Sequence, residues 1–134
     1  MNTTSAFEAF TGKKYLNLET CRKDGRAVRT PVWFAAAEDT APGASPQKLY
    51  VYTIGESGKV KRIRNNARVK IAPCDVRGAL QGEWVAARAE ILRGEEAVRG
   101  MQLLNRKYVP WKQLLDFFAM FRRRQRIVMA IRPE

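Results

Sequence analysis

Apolar and polar residues alternate with a period of two over most of this chain and change to helical spacing in a few places. Residues 15–22 alternate first, with Leu16 and Leu18 on one face and Asn17 and Glu19 on the other. Lys23, Asp24, Gly25 and Arg26 follow, and an Asp-Gly pair supplies the positive φ angles of a tight hairpin turn. The returning strand, residues 27–36, sets Val28, Thr30, Val32 and Phe34 against Arg29, Pro31, Trp33 and Ala35. Pro31 has no N–H to give to a ladder, so it predicts an edge, a bulge or a barrel rim. Residues 49–53 and 68–73 read as two further strands, and residues 83–92 as a fifth, with Val85, Ala87, Ala89 and Ile91 on one face. Residues 127–131 make a sixth, stopped by Pro133.

Helical spacing fills the gaps. Residues 5–10 predict a short helix, with Thr4 or Ser5 as N-cap, Phe7 and Phe10 three apart, and Gly12 as its end. A basic helical segment carries Lys59, Lys61, Arg62 and Arg64. From Gly94 onward, Glu95 and Glu96 suit a helix start, and Val98, Met101, Leu103 and Leu104 give an apolar stripe that Tyr108, Val109 and Pro110 break. A second amphipathic stretch, residues 111–121, leads into a basic end at 122–126; burial against the barrel or another subunit is expected, with docking on an anionic membrane as the alternative. Residues 38–47 are rich in Pro, Ala, Gly and Ser and read as a surface loop. Strands joined by short turns favour an antiparallel sheet, and six short strands that must hide both edges favour a closed or partly open barrel. The predicted fold is therefore dominated by β-structure with flanking α-helices, as one domain spanning all 134 residues.

Charge and missing residues narrow the chemistry. A net charge of +12 attracts polyanions, anionic membranes and anionic small ligands without choosing among them. No helix-turn-helix, zinc-finger or aromatic-basic RNA motif accompanies it, so no specific nucleic-acid partner is expected. No apolar run reaches the roughly 18 residues of a membrane span. The start of the chain lacks the layout of a signal peptide, which makes the cytoplasm the expected compartment. There is no histidine, and there are only two cysteines, Cys21 and Cys74. That removes the usual general base and every Ser-His or Cys-His nucleophile pair. No metal site is expected from the carboxylate and cysteine spacing. No catalytic acid or base can be named. Chemistry, if there is any, is expected to be carried by something bound.

The candidate binding stretch follows the third strand. Residues 54–58 form a polar, glycine-containing turn, and Ser57, Lys59, Lys61 and Arg62 crowd the helix start behind it. A hydroxyl, helix-start amides and cations within one turn make a phosphate or other anion site; the alternative is a solvated helix face. Lys59 and Arg62 share a helix face and Lys61 points elsewhere. Arg29, a charge among apolar neighbours, needs an acid or a ligand phosphate. Trp33 and Trp84 are candidates for a ring-binding pocket or for packing.

Thr30-Pro31-Val32-Trp33-Phe34, Thr53, Ser57-Gly58-Lys59-Val60-Lys61-Arg62 and Ala72-Pro73-Cys74-Asp75 together resemble the pyridoxamine 5′-phosphate oxidase-like, FMN-binding split-barrel superfamily. The likeness is greatest to its flavin/deazaflavin oxidoreductase branch, some of whose members use coenzyme F420. It implies a six-stranded antiparallel split β-barrel with short helices, a homodimer, and cofactors held in clefts between subunits. It implies a hydride-transferring oxidoreductase with F420, or alternatively FMN, acting on a small organic substrate. A non-catalytic carrier of flavin, F420 or a tetrapyrrole is the other reading of the same fold. The implied cofactor-binding residues are Arg29, Pro31, Trp33, Thr53, Ser57, Gly58, Lys59, Lys61, Arg62, Ala72 and Pro73. Two departures stand out. The oxidase branch carries arginine where this chain has Gly58, and its C-terminal pyridoxal-binding residues have no counterpart here.

Overall fold

The computed structural model describes residues 7–37, 47–54, 58–108 and 126–134. It contains six strands: β1 (Tyr15–Cys21), β2 (Ala27–Ala36), β3 (Leu49–Ile54), β4 (Arg68–Cys74), β5 (Val85–Ile91) and β6 (Arg126–Pro133). Among the described residues two α-helices join them, α1 (Gly58–Asn65) between β3 and β4 and α2 (Gly94–Tyr108) between β5 and β6. All pairings are antiparallel and close a barrel in the order β1-β2-β3-β6-β5-β4. The expected β-dominated barrel is the observed one. Of the helix expected at 5–10, residues 5 and 6 lie outside the described residues and the rest holds a 3-10 turn at Glu8–Phe10; the fifth strand begins at Val85, leaving Glu83 and Trp84 in coil. The stretch 111–121, the basic end at 122–125 and most of the loop at 38–47 lie outside the described residues.

The alternating pattern sorts the side chains. Leu16 and Leu18 of β1, Phe34 of β2, Leu49 and Val51 of β3, Ile71 of β4, and Met129 and Ile131 of β6 point inward and are almost wholly buried. Each such side chain contributes about 1.5–3 kcal/mol. Phe7, Phe10 and Phe34 meet edge to face at 5.8 and 5.9 Å, and Val60 and Ile63 join the same core from α1. Outside the barrel, α2 lays Leu103 and Leu104 on Tyr50, Tyr52, Val128 and Ala130. The approach is close at Gly100, where a Cβ would stand 2.8 Å from both Tyr50 Cδ1 and Val128 Cγ1. Among the described residues no helix is long and apolar enough to cross a membrane.

One irregularity positions the site. β1 pairs with β2 over its whole length, from Tyr15↔Trp33 to Cys21↔Ala27. The ladder between β2 and β3 holds only Phe34↔Val51, Ala35↔Tyr50 and Ala36↔Leu49. The first part of β2, through Trp33, therefore has no partner on its β3 side, and the barrel is split there. Pro31 sits in that stretch, where a missing N–H costs no β2–β3 bond.

Candidate functional site

A cavity of about 330 Å³ opens at this split. Pro31, Val32 and Trp33 come from β2, Tyr52 and Thr53 from β3, and Tyr15, Lys59 and Val76 complete the lining. The Trp33 and Tyr52 rings lie 6.1 Å apart at 41°, and Tyr15 is directly across from Trp33 in the β1–β2 register. Thr53 is buried, 7% exposed. The result is a cavity lined by aromatic rings and a cation, of a size that takes a small ligand.

α1 supplies the cation, and its surroundings define its state. Lys59 is half-buried, and burial first, then the neighbouring Arg62, lowers its pKa from the ordinary lysine value. Arg62 Nε donates to Thr20 Oγ1 at 2.6 Å, and burial followed by Arg22 lowers its pKa. Among the described residues neither Lys59 nor Arg62 has a carboxylate partner. Lys61 is exposed, as the helical spacing predicts. The guanidinium of Arg62 folds back over Gly58, so that a Cβ there would stand 2.6 Å from Arg62 Nη1. A desolvated cation without a counter-ion is costly, and a bound anion would relieve it.

The structure thus brings Pro31, Trp33, Thr53 and Lys59 into one cavity, with Gly58 and Arg62 beside Lys59 on α1. Ser57 lies outside the described residues. Arg29 goes elsewhere: its Nε donates to Glu19 Oε1 at 2.9 Å and its guanidinium lies 4.7 Å from the centre of the Trp84 ring. Its required partner is an acid, and Trp84 packs there, outside the cavity lining. Ala72 and Pro73 are buried in β4 opposite Asn17 and Leu16, and Pro73 is covered by Gly82. Neither lines the cavity. Cys74 is buried, and burial first, then Asp75, pushes its thiol up to about 11, which keeps it protonated and unreactive.

Tyr15, Val32, Tyr52 and Val76 were not anticipated. Counting outward from a two-residue Asp24-Gly25 turn would set Tyr15 opposite Phe34; the loop is three residues, Lys23-Asp24-Gly25, and that shift of one sets Tyr15 opposite Trp33. Val76 carries no sequence signal, since a turn brings it to the cavity. A larger hollow of about 1000 Å³ lies beside the start of α2, but its Arg64, Arg93 and Arg99 are exposed, and it holds none of the expected residues.

Residues 3–134 match the family described as pyridoxamine 5′-phosphate oxidase. The chain belongs to that family. No curated protein sequence matches it significantly. Solved structures similar to this family member share its fold at low identity. The conserved hypothetical protein Rv2991 from Mycobacterium tuberculosis is 20% identical, with a TM-score of 0.69 over 100% of this chain and 81% of that one. HutZ, the heme storage protein from Vibrio cholerae, is 16% identical, with a TM-score of 0.63 over 95% and 86%. A protein described as an F420 reductase is 17% identical, with a TM-score of 0.58 over 100% and 95%. Proteins that differ this much in described role share one split barrel, so function rests on the residues of the cavity.

Proposed function

We propose that the protein is an oxidoreductase that holds F420, or alternatively FMN, in the split between β2 and β3 and acts on a small organic substrate. The observation that carries this reading is Lys59: a half-buried cation with no carboxylate partner among the described residues, in a cavity lined by Trp33, Tyr52 and Tyr15. These residues fit an anionic group joined to a planar ring. Lys59 would hold the phosphate, with Arg62 adding positive field from the same helix face, and Ser57 and the Gly58 backbone are the remaining members of that turn. Trp33 and Tyr52 would flank the ring, and Thr53 offers a buried hydroxyl beside it. Such a cofactor, when bound, supplies the hydride chemistry, and the protein places it and keeps water from its faces. Pro31 keeps the seam open by adding no ladder donor.

F420 is the preferred cofactor because Lys59, Lys61 and Arg62 form a basic run able to meet an acidic tail, in addition to the phosphate. A homodimer is part of the reading, since a second copy seated over the split would enclose the ring. Titration of the purified protein with F420 and with FMN, followed by cofactor fluorescence, tests it. Saturable binding of either is expected, and failure of both to bind refutes it.

The second reading is a carrier without turnover. It is favoured by the lack of any histidine in the sequence and of any carboxylate among the described residues of the cavity lining, which leaves tyrosine and Lys59 as the evident proton donors among them. Tight cofactor binding with no reduction of any acceptor tried would favour it over the enzyme. Within it, flavin or F420 ranks above a tetrapyrrole, because the chain offers no histidine to an iron.

A further inference from the structure

The hollow beside the start of α2, of about 1000 Å³, shares no described lining residue with the cavity at the split. α1 divides the two. Val60 and Ile63 bury that helix in the core, and at about 100° per residue Lys59 and Arg64 fall on opposite flanks of their stripe. Lys59 lines the cavity at the split and Arg64 lines the hollow. We propose that the hollow is a second ligand site, and that it takes a small phosphate monoester with an apolar body. The proposal does not depend on what the first cavity holds.

Among the described residues three cations reach the hollow, each from a different part of the chain. Arg64 lies in the last turn of α1, Arg93 in the short link between β5 and α2, and Arg99 in the second turn of α2. Gly94, at φ +66°, turns the chain from that link into the helix, a conformation that glycine adopts at little cost. All three arginines are exposed, and among the described residues none has a carboxylate partner. Glu95 is the one carboxylate in the described lining, and it pairs with none of them, although it stands one helical turn before Arg99. Three positive charges against one negative leave a surplus of two. A phosphate monoester, with a charge of about −1.5 to −2 at neutral pH, matches it. Guanidinium groups also meet phosphate oxygens with paired, directional hydrogen bonds.

Much of the remaining lining is apolar, which separates the hollow from a solvated charged face. Glu95, Val98, Arg99 and Gln102 recur at the i, i+3, i+4, i+7 spacing of one helix face, and all four line it. The opposite face of α2, with Gly100 and Leu104, packs on the barrel. Val98 was expected in the buried stripe of α2, yet it is 58% exposed, an apolar side chain kept in water between Glu95 and Gln102. Ile91, which ends β5, and Ile127, at the start of β6, lie in the same lining. Leu92 N donates to Val128 O at 2.8 Å and fastens those two segments together. An apolar body seated in the hollow would cover Val98 while its head group meets the arginines. Inorganic phosphate would use the cations alone, and an extended polyanion would leave Val98 in water.

The test is calorimetric titration of the protein at low ionic strength with hexyl phosphate, 1-hexanol and inorganic phosphate. Hexyl phosphate should bind about tenfold or more tightly than either of the others, because it alone engages both the cations and the apolar lining. Arg93→Gln/Arg99→Gln should remove its advantage over hexanol, and Val98→Ser should shrink its advantage over inorganic phosphate. These three positions are exposed, so the variants should fold as the parent does, with unchanged circular dichroism. Lys59→Met should leave hexyl phosphate affinity within about twofold, since solvent screens a charge beyond α1. A phosphate preference that survives the double arginine variant overturns the proposal. So does loss of hexyl phosphate binding in Lys59→Met, which would put the probe in the cavity at the split. Equal affinity for hexyl phosphate and inorganic phosphate overturns it too. Co-sedimentation with phosphatidylcholine vesicles containing phosphatidic acid, without any response to hexyl phosphate, would assign the arginines to a membrane surface and overturn it as well.

Discussion

Replacing Lys59 by methionine removes the ammonium and keeps an unbranched apolar stem in the same space. Two effects of opposite sign should follow. In the cofactor-free protein, Lys59 is half-buried, and both its burial and Arg62 act against its charged form. Methionine relieves both costs, so the unliganded variant should be at least as stable as the parent, with its thermal midpoint unchanged or raised. In the proposed complex, Lys59 would give a charge-assisted hydrogen bond to the cofactor phosphate, and such bonds contribute about 1.5–3 kcal/mol. At 1.4 kcal/mol per factor of ten, the dissociation constant should rise about 10- to 100-fold. Parallel calorimetric titrations with F420 and FMN give the affinities, and thermal unfolding without ligand gives the stability. Equal affinity in parent and variant would remove Lys59 from the site. A large drop in the midpoint would show that Lys59 is a structural cation, and the argument from its missing partner would collapse.

Affinity should also depend on pH with a definite sign. Lys59 titrates below the ordinary lysine value when the site is empty, and a bound phosphate would raise its pKa. Affinity should therefore be level below the free-state pKa and fall as pH rises through it, and Lys59→Arg should flatten that limb; an unchanged alkaline limb would contradict the assignment. Trp33→Ala should weaken cofactor binding by about 0.5–1.5 kcal/mol through loss of the ring contact, with little change in fold, as titration and circular dichroism would report. Gly100→Ala should destabilise by about 1–3 kcal/mol in chemical denaturation, because its Cβ would meet Tyr50 and Val128 at 2.8 Å. Glu96 accepts from Lys48 Nζ at 2.8 Å and from Tyr50 OH at 3.3 Å, and the Lys48 bond holds its carboxyl below the usual range. A depressed carboxyl pKa contributes stability above the unfolded value and loses it as pH falls through the folded one. Glu96→Gln should thus cost about 0.5 kcal/mol at neutral pH and reduce the acid-side loss of stability, a small effect because the pair is partly solvated.

The strand faces were legible because a period of two survives wherever one side of a sheet is buried. Leu16, Leu18, Val85, Ala87 and Ala89 needed nothing more. The split was legible in part: Pro31 predicted an edge, a bulge or a rim in β2, and the family resemblance implied a split barrel. Nothing in the order of residues says that the β2–β3 ladder stops at Phe34, since that depends on how six strands tilt to close a ring. Arg29 was half legible. Its need for a partner followed from its apolar neighbours, but a two-residue Asp24-Gly25 turn would set it opposite Thr20; the loop closes instead as three residues, Lys23-Asp24-Gly25, with Arg22 N donating to Arg26 O, and that shift of one brings Glu19 opposite it. Ala72 and Pro73 were assigned by motif alone, and a motif cannot tell a strand's packed end from its ligand-facing end. Trp84 looked like the start of a strand, yet it lies in coil and stacks on Arg29.

Gly58 shows why position-by-position matching understates a site. The family resemblance expects arginine there, and on the sequence one cation is missing. In the fold, residues 58 and 62 are one helical turn apart, so a side chain at 62 can lie over the backbone at 58. Arg62 does so, with Nη1 in the space that a side chain on residue 58 would enter first. The absence of a side chain at 58 and the presence of arginine at 62 are thus one feature: the glycine makes room, and the guanidinium fills it from the next turn. The charge at the start of α1 is kept while its anchor moves by four residues. A variant combining Gly58→Arg with Arg62→Ala would move the anchor back, and it should bind cofactor more tightly than Arg62→Ala alone. Were the rescue to fail, the guanidinium over Gly58 would be a packing element tied to Thr20, with no part in holding an anion.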